Sequence, residues 1–90
     1  MMSRGEATEK AMRTLPADED YARALMTIFA AEGARVGQSL SEAALGRAFG
    51  ERNYGDHSDY RAALDHAVAC GWVAPALNRV RLTVAGFEEL

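Results

Sequence analysis

Apolar positions recur with a helical rhythm in three stretches of the chain and alternate with polar ones in a fourth. Tyr21, Leu25, Ile28 and Phe29 stand at i, i+4, i+7 and i+8, and Glu32 continues the rhythm at i+11. That spacing puts one apolar stripe on a helix and predicts helix one over 17–32, stopped by Gly33. Pro16 suits the opening turn, and Asp18, Glu19 and Asp20 would set negative charge against the positive end of the helix dipole. Residues 36–40 read as a connector in which the β-branched Val36 suggests a minimal strand.

The segment LSEAALGRAFG is the best-marked helix, expected over 41–49. Ser41 can cap it, Leu40 and Leu45 have hydrophobic-staple spacing, and Ala44, Leu45, Ala48 and Phe49 form the apolar face. Ser39 with Glu42 offers a competing capping box two residues earlier. Beyond the polar turn ERNYG, helix three is expected over 57–70, with Asp56 as cap and Tyr60, Leu64, Ala67 and Val68 as its stripe. Strands near 72–74 and 79–83 flank the turn-prone PALNR, with Arg81 pointing away from the Val80 and Leu82 side, and Thr83 can cap a last helix in VAGFEEL. The expected core is Leu25, Ile28, Phe29, Leu45, Phe49, Tyr60, Leu64, Val68, Trp72 and Leu82.

Composition narrows the class. The chain has 90 residues and 49% count as hydrophobic, but 18 of those are alanine, which leaves few large side chains for a core. A single domain this small hides only roughly 60 to 65% of the surface of its unfolded form, so it is expected to lean on a partner or on self-association. Residues 1–17 read as a polar arm with Arg4, Lys10 and Arg13, ordered by docking, and 18–90 as the folded domain. No apolar run is long enough for a membrane span, and the single cysteine, Cys70, cannot form an internal disulfide, so a cytoplasmic location is expected. Ten basic residues against thirteen acidic give a net charge of −3, with no overall basic stripe of the kind many nucleic-acid binders carry.

Three helices, a hairpin and the start of a further helix, in that order, resemble the winged helix-turn-helix domain of many bacterial transcription regulators. LSEAALGRAFG matches the second helix, YRAALDHAVACGWV the third helix running into the first wing strand, and VRLTVAGFEEL the return strand and final helix. The implied fold is α+β, a three-helix core with a short two-stranded hairpin wing, in which Gly46 lets helices two and three approach. Two features depart from the pattern. The turn 50–56 is about four residues longer than a tight helix-turn-helix turn, and the wing is short.

The resemblance implies a DNA-binding transcriptional regulator, cytoplasmic and homodimeric, whose third helix enters the major groove. It would place Asp59, Arg61, Ala62, Asp65 and His66 on that face, with Arg61 suited to a guanine edge and His66 to a base or phosphate. Arg52, Asn53, Arg79 and Arg81 would hold phosphates. Asp59 and Asp65 oppose tight nonspecific binding because carboxylates are repelled by the phosphate chain. The alternative is a winged helix that meets a protein through the acidic third-helix face or an apolar patch at Tyr54, Trp72 and Leu77. Tyr54, in a polar loop, is the better contact candidate, whereas Trp72 reads as core. Self-association is expected through the arm, helix one and the end around Phe87 and Leu90.

An enzyme is not expected. His57, His66, Asp56, Asp59, Asp65 and Cys70 include metal-binding residue types, yet four-ligand zinc spacing is missing. Phosphate-loop, nucleophile-elbow and metalloprotease motifs are missing as well, and no cofactor is expected.

Overall fold

Residues 14–90 are described by a computed structural model and form four helices and three strands. They are α1 (Thr14–Ala31), β1 (Ser39–Ser41), α2 (Glu42–Glu51), α3 (His57–Ala69), β2 (Val73–Ala76), β3 (Arg79–Leu82) and α4 (Val84–Glu88). The basic positions Arg4, Lys10 and Arg13 of the expected arm lie outside the described residues. α1 begins at Thr14, ahead of the expected start, so Pro16 is its third residue rather than its opening one. Proline is tolerated there because the first N–H groups of a helix have no intrahelical partner. Asp18, Glu19 and Asp20 consequently sit one turn inside the helix.

The helix starts are made by side-chain caps. Ser41 Oγ accepts the Ala44 N–H at 2.9 Å, so the Ser39–Glu42 alternative is not the one used. At α3 the cap is reciprocal: Asp56 Oδ1 accepts from Asp59 N–H and Asp59 Oδ2 accepts from Asp56 N–H, both at 3.0 Å. Thr83 Oγ1 accepts the Gly86 N–H at 3.0 Å and starts α4.

The three long helices stop in the same way. Gly33, Asn53 and Gly71 follow the C-terminal caps of α1, α2 and α3 with φ of 69°, 59° and 76°, the left-handed conformation of a Schellman ending. The next N–H then returns to a carbonyl of the last turn: Ala34 to Phe29 at 3.0 Å, Tyr54 to Phe49 at 3.1 Å, and Trp72 to Ala67 at 2.9 Å. Each returning residue is apolar and is folded back onto the core. The long turn between α2 and α3 is therefore a helix ending with an aromatic anchor, Tyr54, followed by the α3 cap.

The sheet has three strands in the order β1-β3-β2, all antiparallel, where the sequence predicts a two-stranded hairpin. The minimal strand lies at Ser39–Ser41 rather than at Val36, which is exposed. It forms because β3 has a second edge to satisfy: Gly37 N–H donates to Leu82 O and Leu82 N–H donates to Gln38 O, both at 2.8 Å, and the ladder continues through Leu40 opposite Val80. A two-residue loop, Leu77 and Asn78, joins β2 to β3, with Asn78 at φ 60°. The arrangement is α+β and compatible with a winged-helix shape. Among the described residues, no helix is long and apolar enough to cross a membrane.

Nine of the ten expected core residues are buried. Val68 is the exception, 38% exposed. The buried stripe of α3 is Tyr60, Ala63, Leu64 and Ala67, and the alanines keep the contact with α1 close and narrow, so position i+8 falls at its edge. Ala22, Met26, Ala34, Val73 and Val80 complete the core. Gly46 is not a required close approach, since a Cβ there would meet the Tyr60 ring at an ordinary 3.7 Å. Two glycines are tight: a Cβ at Gly55 would come within 2.6 Å of Asp59 Cβ, and one at Gly86 would overlap the backbone carbonyl oxygen of Trp72, which also accepts from Thr83.

Leu64→Ala is expected to cost about 2 to 5 kcal/mol and Val68→Ala less than about 1 kcal/mol, because only the first opens a cavity. Chemical denaturation of the two variants checks the phase of α3. Gly86→Ala should cost about 1 to 3 kcal/mol by forcing α4 away from Trp72, whereas Gly46→Ala should leave the unfolding midpoint unchanged or raised, which the same measurement reads.

Candidate nucleic-acid interface

The seven residues expected to contact DNA fall in three places: the end of α2, one face of α3, and β3. Glu42, at the start of α2, donates its N–H to Asn78 O at the hairpin tip at 2.9 Å. Arg52 and Asn53 sit at the other end of that ten-residue helix, about 15 Å away. Asn53 is the left-handed residue of the α2 ending, which gives it a backbone role. Arg52 is exposed and close enough to the Tyr54 hydroxyl to hold its pKa down, second to the hydrogen bond with Thr27.

On α3, Arg61 Nη1 lies 3.1 Å from Glu42 Oε2, so the expected base-reading arginine is ion-paired to α2. Ala62 and His66 are half-buried rather than freely exposed, and the His66 ring stands 6.3 Å from Trp72, edge to face. Asp59 is committed to the α3 cap, and its carboxylate is the largest cause raising the Tyr21 pKa above the usual phenol value. Asp65 remains exposed. The acidity of this face is therefore carried mainly by Asp65, with Arg61 partly offset by Glu42. An open cleft between the starts of α2 and α3 and the hairpin tip is lined by Ser41, Glu42, His57, Tyr60, Arg61 and Asn78. Burial and nearby Glu42 raise the Tyr60 pKa.

On β3, Arg79 and Arg81 alternate with the buried Val80 and Leu82, so both project from the outer face of the sheet. Arg79 is fixed there: its Nε donates to Ser39 Oγ at 2.7 Å and its Nη2 to Ser39 O at 2.9 Å. Ser39, Glu42 and His57 were not among the expected contacts. Ser39 reads in sequence only as a cap, and its role depends on a strand pairing forty positions away.

The apolar patch expected around Tyr54, Trp72 and Leu77 does not form. Trp72 is buried, with Arg23 Cζ 5.0 Å above its ring, and Arg23 also reaches Glu19 and Glu89 at 3.1 Å each, tying α1 to α4. Hydrogen bonds to these two glutamates keep the Arg23 pKa raised. Tyr54 is half-buried on Phe49, its hydroxyl 3.0 Å from Thr27 Oγ1, which removes it as a free contact residue. Leu77 alone is open, 90% exposed at the hairpin tip. Cys70 caps α3 and is exposed. Among the described residues, no group of three or more His, Cys, Asp and Glu side chains is placed to hold a metal ion. No family model, curated protein or solved structure matches the chain.

Proposed function

We propose that the chain is a winged-helix DNA-binding module of a small transcriptional regulator. The observation that carries this reading is the topology, in which β1, placed before α2, closes on the second strand of a hairpin that follows α3. That closure leaves Arg61, Asp65, Val68 and Ala69 of α3 on a solvent face and sets a hairpin with two outward arginines after it. A helix with an open face beside an arginine-bearing hairpin matches the docking geometry in which a helix occupies the major groove and a wing follows the backbone. Homodimerisation belongs to the same proposal, since paired half-sites suit a two-fold dimer, and Phe87 and Leu90 are exposed at the α4 end.

A second reading, a winged helix that meets a protein, is favoured by Leu77 at the hairpin tip and by Val68 beside Asp65 on α3, an apolar and acidic surface that a basic partner would match.

Binding to a random-sequence duplex by gel shift at two salt concentrations separates the readings. The DNA reading expects a shift at low salt that weakens steeply as salt rises, because arginine contacts release counterions. Asp65→Asn, which leaves the Asp56–Asp59 cap intact, should strengthen it by about two- to fivefold, the size of one exposed charge interaction. Arg61→Ala should weaken a specific site by about 1 to 3 kcal/mol. No shift at low salt for either wild type or Asp65→Asn overturns the DNA reading. Sedimentation at high micromolar concentration checks the dimer, with a single-chain mass as the contrary result.

A further inference from the structure

We propose that Glu42, at the start of α2, is a specificity-determining residue that acts with Arg61 of α3 to read one G·C base pair in the major groove of DNA. The proposal rests on the DNA-binding reading and adds to it a base contact from α2. Arg61 has an acid one turn along its own helix, Asp65, yet its Nη1 pairs with Glu42 Oε2 at 3.1 Å, nineteen positions away. Glu42 can hold the guanidinium because its own backbone is fixed on both sides. Its N–H donates to Asn78 O at the hairpin tip at 2.9 Å, and its carbonyl accepts from the Tyr60 hydroxyl at 3.4 Å. The Ser41 cap sets the same turn.

Three features make the pair a reader of a base pair as well as a tie between helices. First, it is open: the Arg61 and Glu42 side chains are 50% and 42% exposed, and both line the cleft between α2, α3 and the hairpin tip. Second, their contact engages one atom of each group, which leaves the Nε–Nη2 edge of the guanidinium to donate and Oε1 of the carboxylate to accept. The pair therefore presents two donors beside an acceptor. The major-groove edge of a G·C pair is the complement, with the N7 and O6 acceptors of guanine beside the N4 amino donor of cytosine. An A·T pair fails the match, because it sets the adenine amino donor against the second Arg61 donor and the thymine O4 acceptor against the carboxylate. Third, the carboxylate offsets the attraction of Arg61 for phosphate, which follows net charge, but spares its directional hydrogen bonds. What remains is discrimination between bases more than a general grip on DNA. A guanidinium already held by a partner also loses less rotamer freedom on binding.

The test is selection by the full chain from a library of duplexes with a randomised central stretch, followed by fluorescence anisotropy on the selected duplex and on a random-sequence duplex. The wild type should select a G·C pair at one position, and changing that pair to A·T should weaken binding about tenfold. Glu42→Asp keeps the charge at the helix start but draws the carboxylate back from Arg61. It should cut the G·C preference severalfold and leave affinity for the random duplex unchanged. Glu42→Ala should cut the preference as well, and should raise affinity for the random duplex about two- to fivefold because a charge that repels phosphate is gone. Circular dichroism confirms that each variant is folded, and Glu42→Asp decides the matter if Glu42→Ala is not. A purely structural part for Glu42 would instead lower affinity for both duplexes together and leave the preference intact. That result, a preference unchanged in both variants, or wild-type binding without a G·C preference overturns the inference and leaves the DNA reading standing. Failure of the wild type to bind at low salt removes the DNA reading and this inference with it.

Discussion

The Phe49 ring is the contact on which the helical packing depends. It comes from α2 and meets three tyrosines edge to face, Tyr21 of α1 at 6.3 Å, Tyr54 of the α2–α3 turn at 5.7 Å and Tyr60 of α3 at 5.8 Å. Edge-to-face pairs of this kind add to the burial of the rings because the positive edge of one ring meets the negative face of another. Each tyrosine also has a polar end to satisfy. Tyr21 ends beside Asp59, Tyr54 beside Thr27, and the Tyr60 hydroxyl donates to Glu42 O at 3.4 Å. One ring thus ties α2 to α1, to α3 and to the turn between them, and the hydroxyls fix the directions in which they meet.

Around that centre the chain gains stability through closeness rather than bulk. Ala22, Ala63 and Ala67 are fully buried, and α1 packs chiefly against α3. Small side chains let helix backbones approach, so the dispersion contacts of a close-packed interior are obtained from few large residues. The Schellman endings serve the same purpose. By turning Ala34, Tyr54 and Trp72 back onto the helices they follow, they add apolar contacts at places where a chain would otherwise leave for solvent.

The same geometry partitions charge. Glu42 is brought to Arg61, Asp59 to the α3 cap and Glu19 with Glu89 to Arg23, so several of the charges that look available along the sequence are already used in holding elements together. Arg79 is also held, but by neutral partners, and it keeps its charge on an open face beside Arg81. Net charge therefore says little about where an anionic ligand would approach this molecule, and local pairing says more.

Local chemistry made the helices, their caps and most of the core legible in the sequence, because capping residues act within three or four positions and a helical stripe is a property of one segment. Ser41, Asp56 and Thr83 cap as their spacing indicates, and Leu25, Phe29, Leu45, Phe49 and Leu64 are buried as their rhythm indicates. The third strand, the outward turn of Val68 and the part played by Tyr54 depended on what lay opposite: the unsatisfied edge of β3, the narrow alanine contact with α1 and the ring of Phe49. The candidate site was legible only as residue types. That Arg61 is paired with Glu42 across nineteen positions and Arg79 with Ser39 across forty was decided by the tertiary structure, since electrostatic and hydrogen-bond partners are chosen by distance in space and the sequence specifies distance only along the chain.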